Sequence, residues 1–200
     1  MKNQNLKSTS TLKLTLLALF ALTPVLAQAH LGHGLANSFA SGLNHPLHGL
    51  DHMLAMVAVG LWAAQQGGRA LWAIPCAFVS LMILGGALGM AGMHLSMVET
   101  GILVSVLVMG ILIAAAARLP LVASLALVGL FALFHGHAHG TEIPVAASGV
   151  SYGIGFVIAT IALHGCGIAI GLLAQKRLPV PAIRFAGATI AISGLCLWLA

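Results

Sequence analysis

Polar positions along this chain come as short interruptions between long apolar runs. The runs cover roughly 45–64, 70–91, 97–117, 120–138, 146–173 and 180–199. Each is close to the 20 residues that a helix rising 1.5 Å per residue needs to cross a hydrocarbon core of about 30 Å. The interruptions are Gln65-Gln66-Gly67-Gly68, Gly92 to Ser96, Arg118-Leu119, His139 to Pro144, and Gln175 to Pro179. They leave no room for a soluble domain between the runs. The pattern predicts an all-α polytopic membrane protein, a six-helix transmembrane bundle. Glycines four apart (Gly85/Gly89, Gly149/Gly153, Gly167/Gly171) fit closely packed membrane helices.

Ahead of the first run, Lys2, Lys7 and Lys13 precede a short apolar stretch, Leu14 to Leu22. Pro24 and the small-residue site Ala27-Gln28-Ala29 follow. This reads as a cleaved signal peptide over 1–29, with the six-helix transporter domain over 30–200. Arg69, Arg118 and Lys176-Arg177 fall in the first, third and fifth breaks, whereas the second and fourth contain no Lys or Arg. The positive-inside rule makes the odd breaks cytoplasmic. Both mature termini are then periplasmic in a bacterial inner membrane, and Arg184, one turn into the last helix, snorkels to the cytoplasmic interface.

Composition sharpens this picture. The chain is 60% hydrophobic and 6% charged, with formal net charge +5. Its basic residues sit at run ends instead of forming a soluble basic face, so nucleic acid is not an expected partner; the lipid bilayer is. Cys76, Cys166 and Cys196 are dispersed in apolar runs and read as packing residues, not as a disulfide framework or metal pair. No G-x-x-x-x-G-K-[ST] sequence is present, so ATP hydrolysis is not built into the chain.

Against this oily background "HPLHGLDH" (45–52) gathers three histidines and one of the chain's three acidic residues. With twelve apolar residues between His52 and Gln65, the helix is expected to start near Asn44 to Pro46, capped by Asn44 or His45, with Pro46 in its first turn. His45, His48 and His52 would share a face, and Asp51 and His52 would lie about 10 Å deep. Ionisable groups at that depth need a partner, water or a bound ion. Imidazoles with a carboxylate suit a divalent transition metal. The fourth run ends "FHGHAHGTE", where His135, His139 and Glu142 share one face and His137 points away, as a loop or surface histidine. Glu99 starts the third helix on the same outer side, with His94 in the loop before it. His164 falls near the midplane as an inner relay. His30-Leu31-Gly32-His33 offers a further capture site at the mature N-terminus. Met90, Met93, His94 and Met97 form a string of soft ligands that would suit Cu(I).

At these residues the chain resembles the HupE/UreJ family of nickel and cobalt permeases. "HPLHGLDHMLAMVAVGLWA" (45–63) is similar to that family's H-P-x-x-G-x-D-H-x-x-A-M signature. "VETGILVSVLVMG" (98–110), "FHGHAHGTE" (134–142) and "GFVIATIALHGCGIAIG" (155–171) resemble its later segments in order. A related His-x4-Asp-His motif marks the broader nickel/cobalt transporter group; here the spacing is one residue longer. The resemblance implies metal-pathway roles for His45, Asp51, His52, Glu99, His135, His139, Glu142 and His164. His48 and the Met93-His94 pair are outside it, and their roles rest on ligand chemistry alone. The expected function is a secondary permease, not an enzyme, carrying Ni²⁺ or Co²⁺ from periplasm to cytoplasm as substrate. No cofactor is held permanently, and the metal is handed over to cytoplasmic metallochaperones of urease or hydrogenase maturation. The competing readings are a copper transporter using the methionine string, an integral-membrane metalloenzyme with Glu142 or Glu99 as general base, and an accessory subunit binding haem.

Overall fold

The computed structural model describes residues 35–143 and 147–199. The expected signal peptide and the His30-to-His33 segment lie outside the described residues. Among those described, the chain is entirely helical: α1 (Leu35–His48), α2 (Leu50–Gln66), α3 (Ala70–Met90), α4 (Val98–Ala115), α5 (Leu121–Thr141), α6 (Gly149–Arg177) and α7 (Val180–Leu199). Five helices, α3 to α7, are long and apolar enough to cross a membrane. The chain is a membrane protein.

The first span differs from its expected form. Helix does not begin near Asn44 but runs back to Leu35, and Pro46 lies inside α1. The expected cap at Asn44 or His45 is absent. The chain breaks instead at Gly49, extended at φ −89° and ψ 113°, where α1 and α2 meet at a bend of 81°. The physical reason is local. Pro46 cannot donate the bond that would hold it to Gly42, and glycine three residues later is the weakest helix former after proline. Length makes the broken pair necessary as well. The 17 residues of α2 rise about 25 Å, short of a core of about 30 Å.

Helix α2 is the axis of the bundle. Its residues from Leu54 to Ala64 are buried on nearly every side, which a helix apolar all round requires. It packs against α6, α4 and α3; α3 pairs with α5, α4 with α7, and α1 with α6. These pairs close at glycine. A Cβ on Gly60 would overlap the His164 carbonyl, and one on Gly167 the Val57 carbonyl, across α2 and α6. Gly136 and Gly140 meet the carbonyls of Met82 and Gly86 across α3 and α5, and Gly85 and Gly89 meet those of Leu133 and His137. Gly110 and Gly187 join α4 to α7, and Gly42 and Gly155 join α1 to α6. Of the glycine pairs read from spacing, Gly149/Gly153 is not a close packing pair, since Gly153 faces open space.

Hydrogen bonds tie one end of the bundle together. Trp62 Nε1 donates to the Ala117 carbonyl at 3.1 Å, Gln65 Nε2 to that of Ile113 at 3.1 Å, and Gln66 Nε2 to Ser124 Oγ at 2.9 Å. Gln175 Nε2 donates to the Ala64 carbonyl at 3.0 Å. Arg184 Nε reaches the Ala114 carbonyl at 2.8 Å. Apart from Gln66, these side chains supply donors to helix C-terminal carbonyls that lipid cannot satisfy. Arg69, Arg118, Lys176 and Arg177 flank the same end. The histidine-rich segments occupy the other. The three cysteines are free and exposed on the outer surface of the bundle, not packed in its core.

The glycine contacts can be checked by substitution. Gly136→Ala is expected to cost about 1–3 kcal/mol by forcing α3 and α5 apart, read as a lower thermal midpoint of the detergent-purified protein. Gly153→Ala, with open space around it, is expected to leave that midpoint unchanged or raise it slightly, by up to about 1 kcal/mol.

Candidate metal path

The break at Gly49 brings two helix termini into the interior. The C-terminal end of α1 carries His45, and the first turn of α2 carries Asp51 and His52. Asp51 Oδ1 accepts the His52 backbone N–H at 2.8 Å and the His52 Nδ1–H at 2.8 Å. A carboxylate in the first turn of a helix meets its positive dipole end. The second bond fixes the imidazole tautomer, with the proton on Nδ1, and leaves Nε2 bare. That Nε2 is buried and has no hydrogen-bond partner. This is the arrangement of a metal-binding histidine oriented by a carboxylate behind it.

The last turns of α5 supply the facing wall. His139 lies against His52, ring centroids 4.3 Å apart, and against His45 at 4.7 Å. Neither of its nitrogens makes a hydrogen bond, although Nδ1 stands 3.5 Å from Glu142 Oε2. Glu142, the residue that ends α5, also approaches His45 Nε2 at 3.2 Å. The adjacent His139 imidazole holds the Glu142 carboxyl below the ordinary carboxylate range. Partial burial opposes this, and the charges of His139, His45 and His52 reinforce it. One ligand atom each from His45, His139 and Glu142 lie within 4.8 Å of one another. Two donors each about 2.1 Å from one shared ion stand at most about 4.2 Å apart, so a small side-chain rotation would close the trio on a cation. The C-terminal ends of α1 and α5 point their carbonyls toward this end, which also favours positive charge.

One turn deeper, His135 is fully buried and 5.3 Å from His52 by ring centroids. Its Nδ1 donates to the Phe131 carbonyl at 2.9 Å, and its Nε2 is left without a partner. His164 lies deeper still. It makes no hydrogen bond through either nitrogen, so it is not a histidine held by a carbonyl across helices. Exposure falls from the mouth inward. The Glu142 and His45 side chains are 47% and 36% exposed, that of His52 12% and that of His139 4%, and His135 and His164 are both buried. The residues form a column of imidazoles leading from a carboxylate mouth into the bundle.

Two of the sequence-derived ligand residues and the string of soft ligands stand outside this column. His48 is exposed, and its Nδ1 turns back to the Asn44 carbonyl at 2.8 Å; the 81° bend separates it from the face of His52. Glu99 is in the first turn of α4, at the same end of the bundle, exposed and without an ion pair among the described residues. The string of soft ligands is not gathered into the interior, since Met90, Met93 and Met97 are all more than half exposed. His137 does point away from His135 and His139, as expected, but it is not a surface residue. It is buried, and its Nε2 bonds the Met93 carbonyl at 2.7 Å, tying the α3–α4 loop to α5.

Sequence reasoning missed the aromatic lining. Tyr152 and Phe156 of α6 stand beside His45, and Phe156 lies 4.1 Å from His139. Tyr152 is the chain's one tyrosine, and its buried hydroxyl has no partner. A lone phenol in an apolar run was the available signal. Phe78 touches His135 and His164 and carries no mark that separates it from ordinary packing.

The family described as HupE / UreJ protein matches residues 17–197. Protein HupE of Rhizobium leguminosarum bv. viciae is 45% identical over 183 residues, which span 92% of this chain and 95% of that protein. No solved structure matches the chain. With an apolar helical bundle, an imidazole column at one end and a match across nearly its whole length, this chain belongs to the HupE/UreJ family.

Proposed function

We propose that the protein is a secondary permease that carries a divalent transition metal, Ni²⁺ first and Co²⁺ second, from the periplasm to the cytoplasm. The observation that carries this reading is the column of bare, buried imidazole nitrogens behind an anionic mouth. A buried nitrogen with no partner is costly in a dry interior. A row of them on facing helices is explained by a ligand that supplies the missing bonds in transit. Neutral imidazoles and carboxylates are the donors that such ions prefer. The sites follow one another closely and each offers few donors, as conduction requires: strong enough to enter, weak enough to leave. The broken span at Gly49 supports the same reading, because transporters build ion sites from the ends of discontinuous helices.

The end with Arg69, Arg118, Lys176 and Arg177 is cytoplasmic by the positive-inside rule. That puts the carboxylate mouth on the periplasmic side and makes the direction import. Glu142 and His45 capture the ion. His139 and His52 strip part of its water, with Asp51 holding His52 in the required tautomer. His135 takes it deeper. Metallochaperones of urease or hydrogenase maturation are the proposed receivers in the cytoplasm.

Radiolabelled Ni²⁺ uptake into cells expressing this chain tests the reading, with Co²⁺, Zn²⁺ and Cu⁺ as competitors. The His52→Ala variant is expected to lose uptake to the empty-vector level while remaining in the membrane, with Co²⁺ the best competitor of the native chain. Uptake by His52→Ala equal to that of the native protein would place the path elsewhere. Asp51→Asn is expected to keep the fold and lower uptake by about 10- to 100-fold, the usual cost of removing the group behind a metal-binding histidine.

The pH dependence has a definite sign. Only neutral imidazoles bind metal, so uptake is expected to fall on acidification below about 6.5, the ordinary imidazole value. Glu142, held below the ordinary carboxylate range, is anionic at that value and does not set the onset. Uptake undiminished down to the acid limit of the folded protein would count against histidine ligation.

A further inference from the structure

Tyr152 stands at the mouth of the path, in the first turn of α6, and it is held from two sides. Its backbone presses on α1, where a Cβ on Gly42 would overlap the Tyr152 carbonyl. Its ring stacks on that of Phe156, with centroids 6.4 Å apart and planes 10° apart. The same ring meets His45 edge-on at 5.8 Å. Tyr152 is 2% exposed. Its hydroxyl is buried and has no hydrogen-bond partner among the described residues.

A tyrosine placed only to pack could be a phenylalanine, as its neighbour Phe156 is. A buried hydroxyl left unpaired costs free energy, so this one is explained by a partner that arrives with the cargo. Its surroundings limit what that partner is. On one side Tyr152 lines a cavity of about 390 Å³ whose other side chains, His139 apart, are apolar. On the other are His45, His139 and Glu142, with ligand atoms within 4.8 Å of one another. The Glu142 carboxylate acts electrostatically on the phenol. Three protein donors do not complete the shell of a divalent transition-metal ion, and a further position goes to water. Water on a metal has given a lone pair to the ion, and its hydrogens are acidified. It is therefore a strong hydrogen-bond donor. A phenol oxygen accepts such a bond, and its own O–H can turn to a carboxylate.

We propose that Tyr152 holds a water molecule on the ion captured at the mouth. Its hydroxyl oxygen accepts a hydrogen bond from metal-bound water, which fills a coordination position that His45, His139 and Glu142 leave open. Tyr152 is a positioning residue and not a ligand. It acts through the water, and so raises affinity at capture without a part in the inward steps. This rests on the permease reading above.

The test uses the full chain, with radiolabelled Ni²⁺ as the probe. Equilibrium binding is measured in detergent on the native protein, Tyr152→Phe and Tyr152→Leu, together with the thermal midpoint of each without metal. Flux is measured in phosphatidylethanolamine and phosphatidylglycerol liposomes. Tyr152→Phe removes one oxygen and keeps the ring against His45 and Phe156. It is expected to bind Ni²⁺ about tenfold more weakly, the scale of one hydrogen bond to a charged group. Its metal-free midpoint is expected to stay unchanged or rise, because an unpaired hydroxyl is gone. In liposomes its half-saturating Ni²⁺ concentration is expected to rise about tenfold, with flux at saturation within about twofold of native. A side chain that only fills space predicts otherwise, with Tyr152→Phe binding as the native protein does and the loss confined to Tyr152→Leu. Native affinity in Tyr152→Phe, while the native protein binds and carries Ni²⁺, overturns the role of Tyr152 alone. So does a fall in the metal-free midpoint of Tyr152→Phe, which would make the hydroxyl structural. A native protein that neither binds Ni²⁺ nor carries it would overturn the permease reading and this role with it.

Discussion

Gly60, Gly136 and Gly140 each stand where one added methyl group would overlap a carbonyl oxygen of the neighbouring helix. In a bilayer there is no hydrophobic drive between helices, so association depends on how closely backbones can approach. These contacts also determine where the chemistry sits. Gly136 lies between His135 and His137, Gly140 follows His139, and Gly60 presses on the carbonyl of His164 itself. The backbones that carry His52 and His164 are in direct contact, and those of His135 and His139 are placed by the contact of α5 with α3. The α2–α6 and α3–α5 pairs are the frame, and α2, buried between them, carries His52 into the middle.

That frame holds nitrogens in a state that proteins normally avoid. His52, His135, His137, His139 and His164 all keep at least one buried nitrogen unpaired; His137 differs in direction, its Nε2 bonded to the Met93 carbonyl of the α3–α4 loop, away from the column. Direction on the helix, not the number of bonds made, sets His137 apart from its neighbours His135 and His139. Where a second hydrogen bond exists, it serves orientation: Asp51 holds His52, and the Phe131 carbonyl holds His135. In both, Nδ1 is engaged and Nε2 is free.

Much of this was legible in the sequence because the membrane restricts the choices. Apolar runs near 20 residues located α3 to α7, and the placing of Arg69, Arg118 and Lys176 separated the two ends of the bundle. The interior of the first span was harder. The proline rule puts Pro46 at a helix start, but tertiary packing of α1 on α6 through Gly42 and Gly155 keeps helix on both sides of it. Spacing then grouped His48 with His52, since i and i+4 share a face only if the helix is straight. The bend at Gly49 removes that premise. His137 was placed on the surface because its periodicity pointed away from His139, and periodicity cannot show that α3 and its loop cover that side. The contacts of Phe78 with His135 and His164 were out of reach for another reason: one residue's position in a run carries no information about neighbours on other helices.

Gly49 is the residue at which the first span changes direction, and a Cβ placed there would come within 3.0 Å of both Asp51 Oδ1 and His52 Nδ1. One absent methyl group thus serves the path of the backbone and the posture of the carboxylate–imidazole pair together. A side chain there would press on both groups of the pair, so the turn of the backbone and the posture of the site are coupled through a single residue.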